Sequence, residues 1–371
     1  VHALALGDWG VTLDGSSSVK KYSKNSPRNA QYFRDYYAQK NVAPVAVLSH
    51  GDNFYWSGLG PNDTESRFWT TFEEVYDHPV LRKIPWLNVM GNHDYGGSEF
   101  ICDDECLTTQ DMLRGLNAKF SRQQTYTSPY NDRWVLRDHY YKETLKDDAS
   151  GITIDVYNVD TNVAEEHGGE QICCQCYSYE EKLNSCWKVA RGHPQCAGGS
   201  TDMFDTCMAK LKEWHDDSLS QFARDAKASN ATWKIVHSHY SPHHSMPSAK
   251  SDWFKAIKDG GVQLLINGHV HAEAHEFASI NAHFITNGAG GGTQSEGMIP
   301  LSKKNDDIAR MWSGANDTYG FFELSFAKDY LRAQYATFGE GWTFGNATKP
   351  GKSRVDYCYL IPHDGSKGTK C

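Results

Sequence analysis

The chain has 371 residues, 39% hydrophobic and 13% aromatic, enough for a sizeable core. Its formal charge is −9, from 37 basic and 46 acidic residues with no Lys/Arg-rich run, which argues against a nucleic-acid partner. No apolar segment approaches the ~20 residues that span a bilayer; no signal peptide is visible, and the opening residues already read as strand, as expected of a mature or trimmed chain.

In chain order, strand-like apolar runs fall at 2–7, 44–49, 85–90, 152–160, 232–238, 262–267, 282–288 and 319–326. Helical patterns lie between them at 28–40, 65–77, 206–228 and 251–259. Phe68, Phe72, Val75 and Tyr76 recur at helical spacing, as do Leu211, Trp214, Leu219 and Phe222, so both sets read as core faces. Apolar strands alternating with helices imply an α/β fold of βαβ units, largely parallel and covered on both sheet faces. Such folds hold their ligands just beyond the carboxyl ends of the strands. The Gly- and Cys-rich stretch at about 161–205 lacks clear periodicity and reads as a disulfide-stapled insertion in one domain spanning 1–371.

Ten cysteines and four N-x-[ST] sequons, at Asn62, Asn230, Asn316 and Asn346, together favour an oxidising secretory route with N-glycans and disulfides. A soft-metal site at "CCQC" is the competing possibility, and adjacent cysteines fit a tetrahedral ion poorly. Cys102 and Cys106 are placed to close locally and Cys358 and Cys371 to clasp the tail, leaving six for the insertion.

Five short motifs each follow an apolar run. "GDWG" delivers Asp8, "GDNFY" delivers Asp52 and Tyr55, and "GNHDY" delivers Asn92 and His93. "VHSHY" delivers His237 and His239, and "GHVH" delivers His269 and His271. Any one of these has an ordinary explanation as a turn, a cap or a core histidine. All five fall at strand ends. Carboxylates, an amide oxygen, a phenol and imidazoles without cysteine suit first-row transition metals. An Asp bridging two cations would clamp a phosphoryl group and acidify a bound water, so the reaction class implied is metal-assisted hydrolysis of a phosphate ester.

In order and spacing these five blocks resemble those of the purple acid phosphatases, of the short tartrate-resistant type, within the calcineurin-like metallophosphoesterases. The resemblance covers roughly residues 3–290. It implies a four-layer α/β/β/α sandwich of two mixed sheets flanked by helices. It further implies Fe(III) held by Asp8, Tyr55, His271 and a bridging Asp52. A second, divalent ion (Fe, Zn or Mn) would be held by Asp52, Asn92, His239 and His269, with His93 beside the substrate phosphate. The expected enzyme is a secreted or lysosome-like acid phosphatase with an acidic pH optimum, acting on small phosphorylated substrates, with nucleotides and phosphopeptides among the candidates. Its metal-bound hydroxide would attack phosphate monoesters. The serine/threonine protein phosphatases on the same fold have Asp-x-His at the first motif and lack a tyrosine at Tyr55.

The chain also departs from that pattern. Tyr95 stands where tartrate-resistant members have a histidine. The general acid is expected nine residues beyond His239, where this chain has Ser248, so His243 and His244 are the nearest candidates to protonate the leaving oxygen. His237 is read as a structural or supporting residue rather than a ligand, and His50 is a candidate to support a ligand. His275, His167 and His193 have no assignable partner. A turn after Gly268 is expected to aim His269 and His271 at different ions. Two alternatives stay open: an extracellular nucleotidase or phosphodiesterase with the same centre, and a non-catalytic scaffold that keeps the fold. Substrate choice is expected to reside in loops 96–132, 161–205 and 240–250.

Overall fold

The computed structural model describes residues 1–11, 43–97, 99–165, 167–176, 186–293, 295, 297, 298, 300, 301, 307–315, 318–338 and 353–371. The helical pattern at 28–40 and the sequons at Asn316 and Asn346 lie outside the described residues.

The first half of the chain builds β1 (His2–Leu6), β2 (Ala46–Ser49), α1 (Thr64–Phe68), β3 (Trp86–Asn88), α2 (Thr109–Gln124), β4 (Trp134–Val135), β5 (Tyr140–Asp147) and β6 (Ile152–Val159). Next come α3 (Gly169–Cys174), α4 (Thr201–Ala228), β7 (Trp233–His237), α5 (Pro242–Ser245), α6 (Lys250–Gly260), β8 (Leu264–Asn267), β9 (Glu273–Ala278) and β10 (Ala282–Asn287). The chain ends with β11 (Ile308–Ser313), β12 (Gly320–Phe326), β13 (Tyr330–Phe338), β14 (Ser353–Pro362) and β15 (Thr369–Lys370).

These strands form two mixed sheets, one ordered β15-β14-β13-β12-β1-β2-β3-β4 and the other β11-β9-β10-β8-β7-β6-β5. In the first, β1 to β4 run parallel and β12 joins β1 antiparallel. In the second, β6, β7, β8 and β10 run parallel. Side chains alternate across each strand, and the alternation separates the layers. Ala3, Ala5, Ala46 and Leu48 meet Ile235, Leu264 and Ile266 between the sheets. Leu4, Leu6 and Val47 instead pack with Phe72, Tyr76 and Trp86 outside the first sheet. Val236 and Leu265 pack with Phe222 of α4 and Trp253 of α6 outside the second. The result is the four-layer sandwich expected from the sequence.

All eight strand patterns correspond to observed strands, and three helical patterns to observed helices. The pattern at 65–77 is irregular, because α1 continues as a π-helical turn, Trp69–Glu73. Two of the expected loops hold more structure than the sequence suggests: 96–132 contains the sixteen-residue α2, and 240–250 contains α5 and the start of α6. Disulfides join Cys102 to Cys106 and Cys358 to Cys371, as the spacing suggests. Cys173–Cys207, Cys174–Cys196 and Cys176–Cys186 tie the insertion to itself and to α4. Among the described residues no helix is long and apolar enough to cross a membrane.

Candidate metal centre

Four candidate ligands come from loops that follow strands of the first sheet, and three from loops that follow strands of the second. Asp8 lies beyond β1, Asp52 and Tyr55 beyond β2, and Asn92 beyond β3. His239 lies beyond β7, and His269 and His271 beyond β8. The loops are laced together by their own backbones. Asp8 N–H donates to the Gly51 carbonyl (3.1 Å), Gly10 to that of Asp52 (3.2 Å), and Tyr55 to that of Gly10 (2.8 Å). Two further bonds cross between the sheets at this end: Gly7 N–H to the Asn287 carbonyl (3.0 Å) and His239 Nδ1–H to the His50 carbonyl (2.6 Å).

Backbone geometry sets the aim. Asp8, Asp52 and His269 sit in the left-handed region, at φ of 58°, 52° and 68°. Non-glycine residues there are held at a cost of order 1–3 kcal/mol each, and such strain gathers at functional sites. The turn between His269 and His271 therefore falls on His269 itself. Gly268 serves a different need, since a Cβ there would lie 2.4 Å from Asp8 Oδ2. Gly91 is equally constrained: its Cβ would meet Asp52 Oδ1 at 2.2 Å.

The donors converge. Tyr55 Oη lies 3.2 Å from Asp8 Oδ1, 3.0 Å from Asp52 Oδ2 and 3.2 Å from His271 Nε2. His239 Nε2 lies 3.1 Å from Asn92 Oδ1 and 3.6 Å from Asp52 Oδ1. The rings of His239 and His269 are 5.3 Å apart. His271 thus keeps company with Asp8 and Tyr55, and His269 with His239, with Asp52 reaching both groups. The two groups are also joined directly, since the His269 backbone N–H donates to Asp8 Oδ2 at 2.9 Å. Asp8, Asp52, Tyr55, Asn92 and His239 are buried, while His93, His269 and His271 are partly exposed and mark the opening.

The chemistry of this donor set fits cations. Two carboxylates and a phenol are crowded together out of water, which is costly unless positive charge joins them. Without it, burial raises the Asp8 carboxyl, and burial with the nearby Asp52 and Asp8 charges pushes the Tyr55 phenol well up. Burial would raise Asp52 too, yet His239, His93 and the His93 N–H draw it below its ordinary value. The outer nitrogens of two of the three imidazoles are occupied, which turns their others inward. His239 Nδ1 is bound to the His50 carbonyl, and His271 Nδ1 lies 2.6 Å from Thr293 Oγ1.

Other candidates fall outside the cluster. His93 donates its backbone N–H to Asp52 Oδ1 (3.0 Å), and its Nδ1 lies 2.6 Å from the Trp56 carbonyl. His50 supports His239 through its carbonyl; its ring packs on His237 at 4.9 Å. His237 pairs instead with Asn158 (2.7 Å). His243 and His244 are turned onto Glu276, with Nε2 atoms 2.6 and 3.1 Å from its Oε2. His275 belongs to a hydrogen-bonded relay with His283 and Tyr357, and His193 Nδ1 accepts from the Gln195 N–H in a local turn (3.1 Å).

Two contributors escaped the sequence reading. Asp94 accepts N–H bonds from Gly91 (2.8 Å), Asn53 (3.0 Å) and Phe54 (3.1 Å), clamping the loops that carry Asn92 and Asp52 together. Burial, then the Asp52 charge, raise its carboxyl to about 7. His167, from the insertion, brings an exposed imidazole 6.4 Å from the His269 ring, and its carbonyl accepts from Tyr240 Oη at 2.8 Å. The "GNHD" motif contained the first signal; nothing local to the sequence signalled the second.

The chain has relatives among known proteins. Residues 1–273 match the calcineurin-like phosphoesterase family. Purple acid phosphatase 17 of Arabidopsis thaliana is 24% identical over 351 residues, covering 92% of this chain and 82% of that protein. Tartrate-resistant acid phosphatase type 5 of Sus scrofa is 28% identical over 158 residues, 43% of this chain and 38% of the relative. The match thus spans about two fifths of that relative's length. Two solved structures share the fold: GAP50, the anchor in the inner membrane complex of Plasmodium (TM-score 0.58, 16% identity, 100% of this chain and 89% of that one), and purple acid phosphatase PPD1 from yellow lupin, Lupinus luteus (TM-score 0.52, 14% identity, 99% and 55%). With the family match covering most of the chain and the strand-end motifs within it, the chain belongs to the calcineurin-like phosphoesterase family.

Proposed function

We propose that the protein is an acid phosphatase that hydrolyses phosphate monoesters at a dinuclear centre, with Fe(III) held by Asp8, Tyr55, His271 and Asp52, and a divalent ion held by Asp52, Asn92, His239 and His269. The observation that carries this is the convergence of Tyr55 Oη, two buried carboxylates and His271 Nε2 within 3.0–3.2 Å of the phenol oxygen. A hard trivalent ion is matched by the phenolate side, and a softer divalent ion by the imidazole and amide side. Bound cations would neutralise phosphoryl charge and lower the pKa of water enough for it to act as the nucleophile.

The chain's own residues do the rest. Asp52 sets the separation of the two halves, and the His50 carbonyl and Thr293 hydroxyl fix the ring orientations of His239 and His271. His93, its Nδ1 at the Trp56 carbonyl, has Nε2 left to face the substrate phosphate. His243 and His244 face Glu276, so the leaving-group side of the opening falls to His93 and the exposed His167. Among the described residues five disulfides and no free cysteine fit an oxidising secretory or lysosome-like compartment, and Asn62 and Asn230 are exposed for glycans.

A scaffold role is the second reading, because the same fold serves as an anchor in GAP50. The complete set of seven candidate ligands favours catalysis. Elemental analysis with a p-nitrophenyl phosphate assay decides: the catalytic reading expects two bound transition metals, turnover, and a visible absorption band that Tyr55→Phe removes. Metal-free, inactive wild-type protein would sink it. An active enzyme without iron or colour would remove only the iron assignment.

A further inference from the structure

A second set of ligating atoms lies outside the centre just described. His243 and His244 are neighbours on α5, and their Nε2 atoms converge on one oxygen of Glu276, on β9, at 2.6 and 3.1 Å. One donor atom from each of the three residues lies within 4.8 Å of the other two. The side chains are deeply placed, at 1% exposure for His243, 7% for His244 and 1% for Glu276.

The outward atoms of His243 and Glu276 are engaged. Ser241 Oγ lies 2.9 Å from His243 Nδ1. Arg310 donates from Nε (3.0 Å) and Nη2 (2.6 Å) to Glu276 Oε1, the oxygen that faces away from the His243 contact. Phe284 and Phe254 flank the His243 ring, at centroid distances of 4.9 and 6.5 Å. Two imidazoles and one monodentate carboxylate, with His243 and Glu276 held from behind by hydrogen-bonding partners, make a ligand set with its outer supports in place.

We propose that His243, His244 and Glu276 form a further metal site, separate from the dinuclear centre, that takes one divalent cation of the zinc class. The ligand types are borderline donors suited to Zn(II), Fe(II) or Mn(II). Zinc bonds of about 2.0–2.1 Å set tetrahedral ligand edges of about 3.3 Å, so the two imidazole–carboxylate edges, now 2.6 and 3.1 Å, need open by only about 0.2–0.7 Å. Arg310 stays on the other oxygen and balances the carboxylate charge. The fourth position falls on the side of His244, the least buried of the three side chains.

The location gives such an ion a purpose. α5 begins three residues after His239, and β9 begins two residues after His271. An ion joining α5 to β9 cross-braces the two segments that lead out of the main centre, and holds the 240–250 wall in place. Its work is positioning, not turnover.

The test is metal counting on the full-length protein after equilibration with Zn(II) and removal of excess. Wild type is expected to retain three equivalents and His244→Asn two. Asp52→Ala, which dismantles the main centre, is expected to keep one, and the double variant Asp52→Ala/His244→Asn none. His244 is the least buried of the three side chains; asparagine keeps a polar group beside Glu276, circular dichroism checks that the variant folds, and Co(II) loaded into the Asp52→Ala protein gives a second readout: a visible d–d band lost in the double variant. A wild type holding two equivalents or fewer, or an Asp52→Ala ion that survives His244→Asn, overturns the proposal. Three equivalents in Asp52→Ala would break the dinuclear assignment instead, and the two failures are distinct.

Discussion

Two groups of buried histidines in this protein look alike in composition and differ in what they leave undone. At the strand ends, His239 and His271 use their outer nitrogens on the His50 carbonyl and the Thr293 hydroxyl, and direct the remaining nitrogens at carboxylates and a phenol. Between the sheets, His275 and His283 complete a closed chain. His283 Nε2–H donates to the Ser366 carbonyl (3.0 Å), which makes its Nδ1 an acceptor for His275 Nε2–H (2.8 Å). His275 Nδ1 then accepts from Tyr357 Oη–H (2.7 Å). Every group in the relay has a protein partner, and no ion is called for. The centre has the opposite character: its anionic oxygens face one another and, among the described residues, no lysine or arginine is bonded to them. Histidine count therefore says little; what separates a site from a brace is whether the donors and acceptors balance.

Substitutions can test that contrast, beginning with the most severe. Gly91→Ala places a methyl 2.2 Å from Asp52 Oδ1, so that carboxylate must move; on the proposed dinuclear reading both metals and essentially all phosphatase activity should be lost, as judged by elemental analysis and turnover. Retention of more than about a tenth of wild-type activity would mean that Asp52 is not fixed as described. Thr293→Val removes the hydroxyl behind His271 at nearly constant volume. Outer partners of this kind are worth about 10–100-fold in metal affinity or activity. A competition titration with a chelator measures that loss, and an unchanged affinity would show that Thr293 does not orient the ring.

The relay should respond to pH and not to metal. Burial holds His283 down to about 4, and burial together with the neighbouring His283 holds His275 well below its usual value. Unfolding returns both to the ordinary range near 6.5. Below that point the unfolded chain binds more protons than the folded one, so stability falls as pH drops from about 6.5 toward 4. Replacing His283 by Gln should flatten the slope of Tm against pH in this window and leave metal content untouched. The smallest effect is expected for Tyr357→Phe, which removes one relay bond and should cost about 1 kcal/mol near neutral pH, read by denaturant unfolding.

The parallel strands and the candidate residues beyond them were legible because both have local signals. An apolar run ending in Gly-Asp or Gly-His marks where a strand stops and which polar side chain follows it, as at Leu6–Gly7–Asp8 and Asn267–Gly268–His269. α2 was not legible because its buried stripe is thin: Met112, Leu116 and Phe120 are its buried apolar side chains, and its other faces are polar. β5 lies at the edge of its sheet and carries Lys142, Glu143 and Lys146, so its apolar signal is weak. His167 and Glu276 lie beyond any sequence rule. Each acquires its neighbours through tertiary packing, the first from an insertion stapled by disulfides, the second across the sheet from α5.

The left-handed backbones at Asp8, Asp52 and His269 have an evolutionary consequence. A lineage that kept this fold as a passive platform would have no reason to hold those three residues in that conformation. Glycine or asparagine at these positions would relieve the strain and recover stability that the ligands now forgo. Aspartate and histidine are among the side chains that tolerate such turns best, so the same dihedral angles that aim the three groups also narrow which residues can stand there.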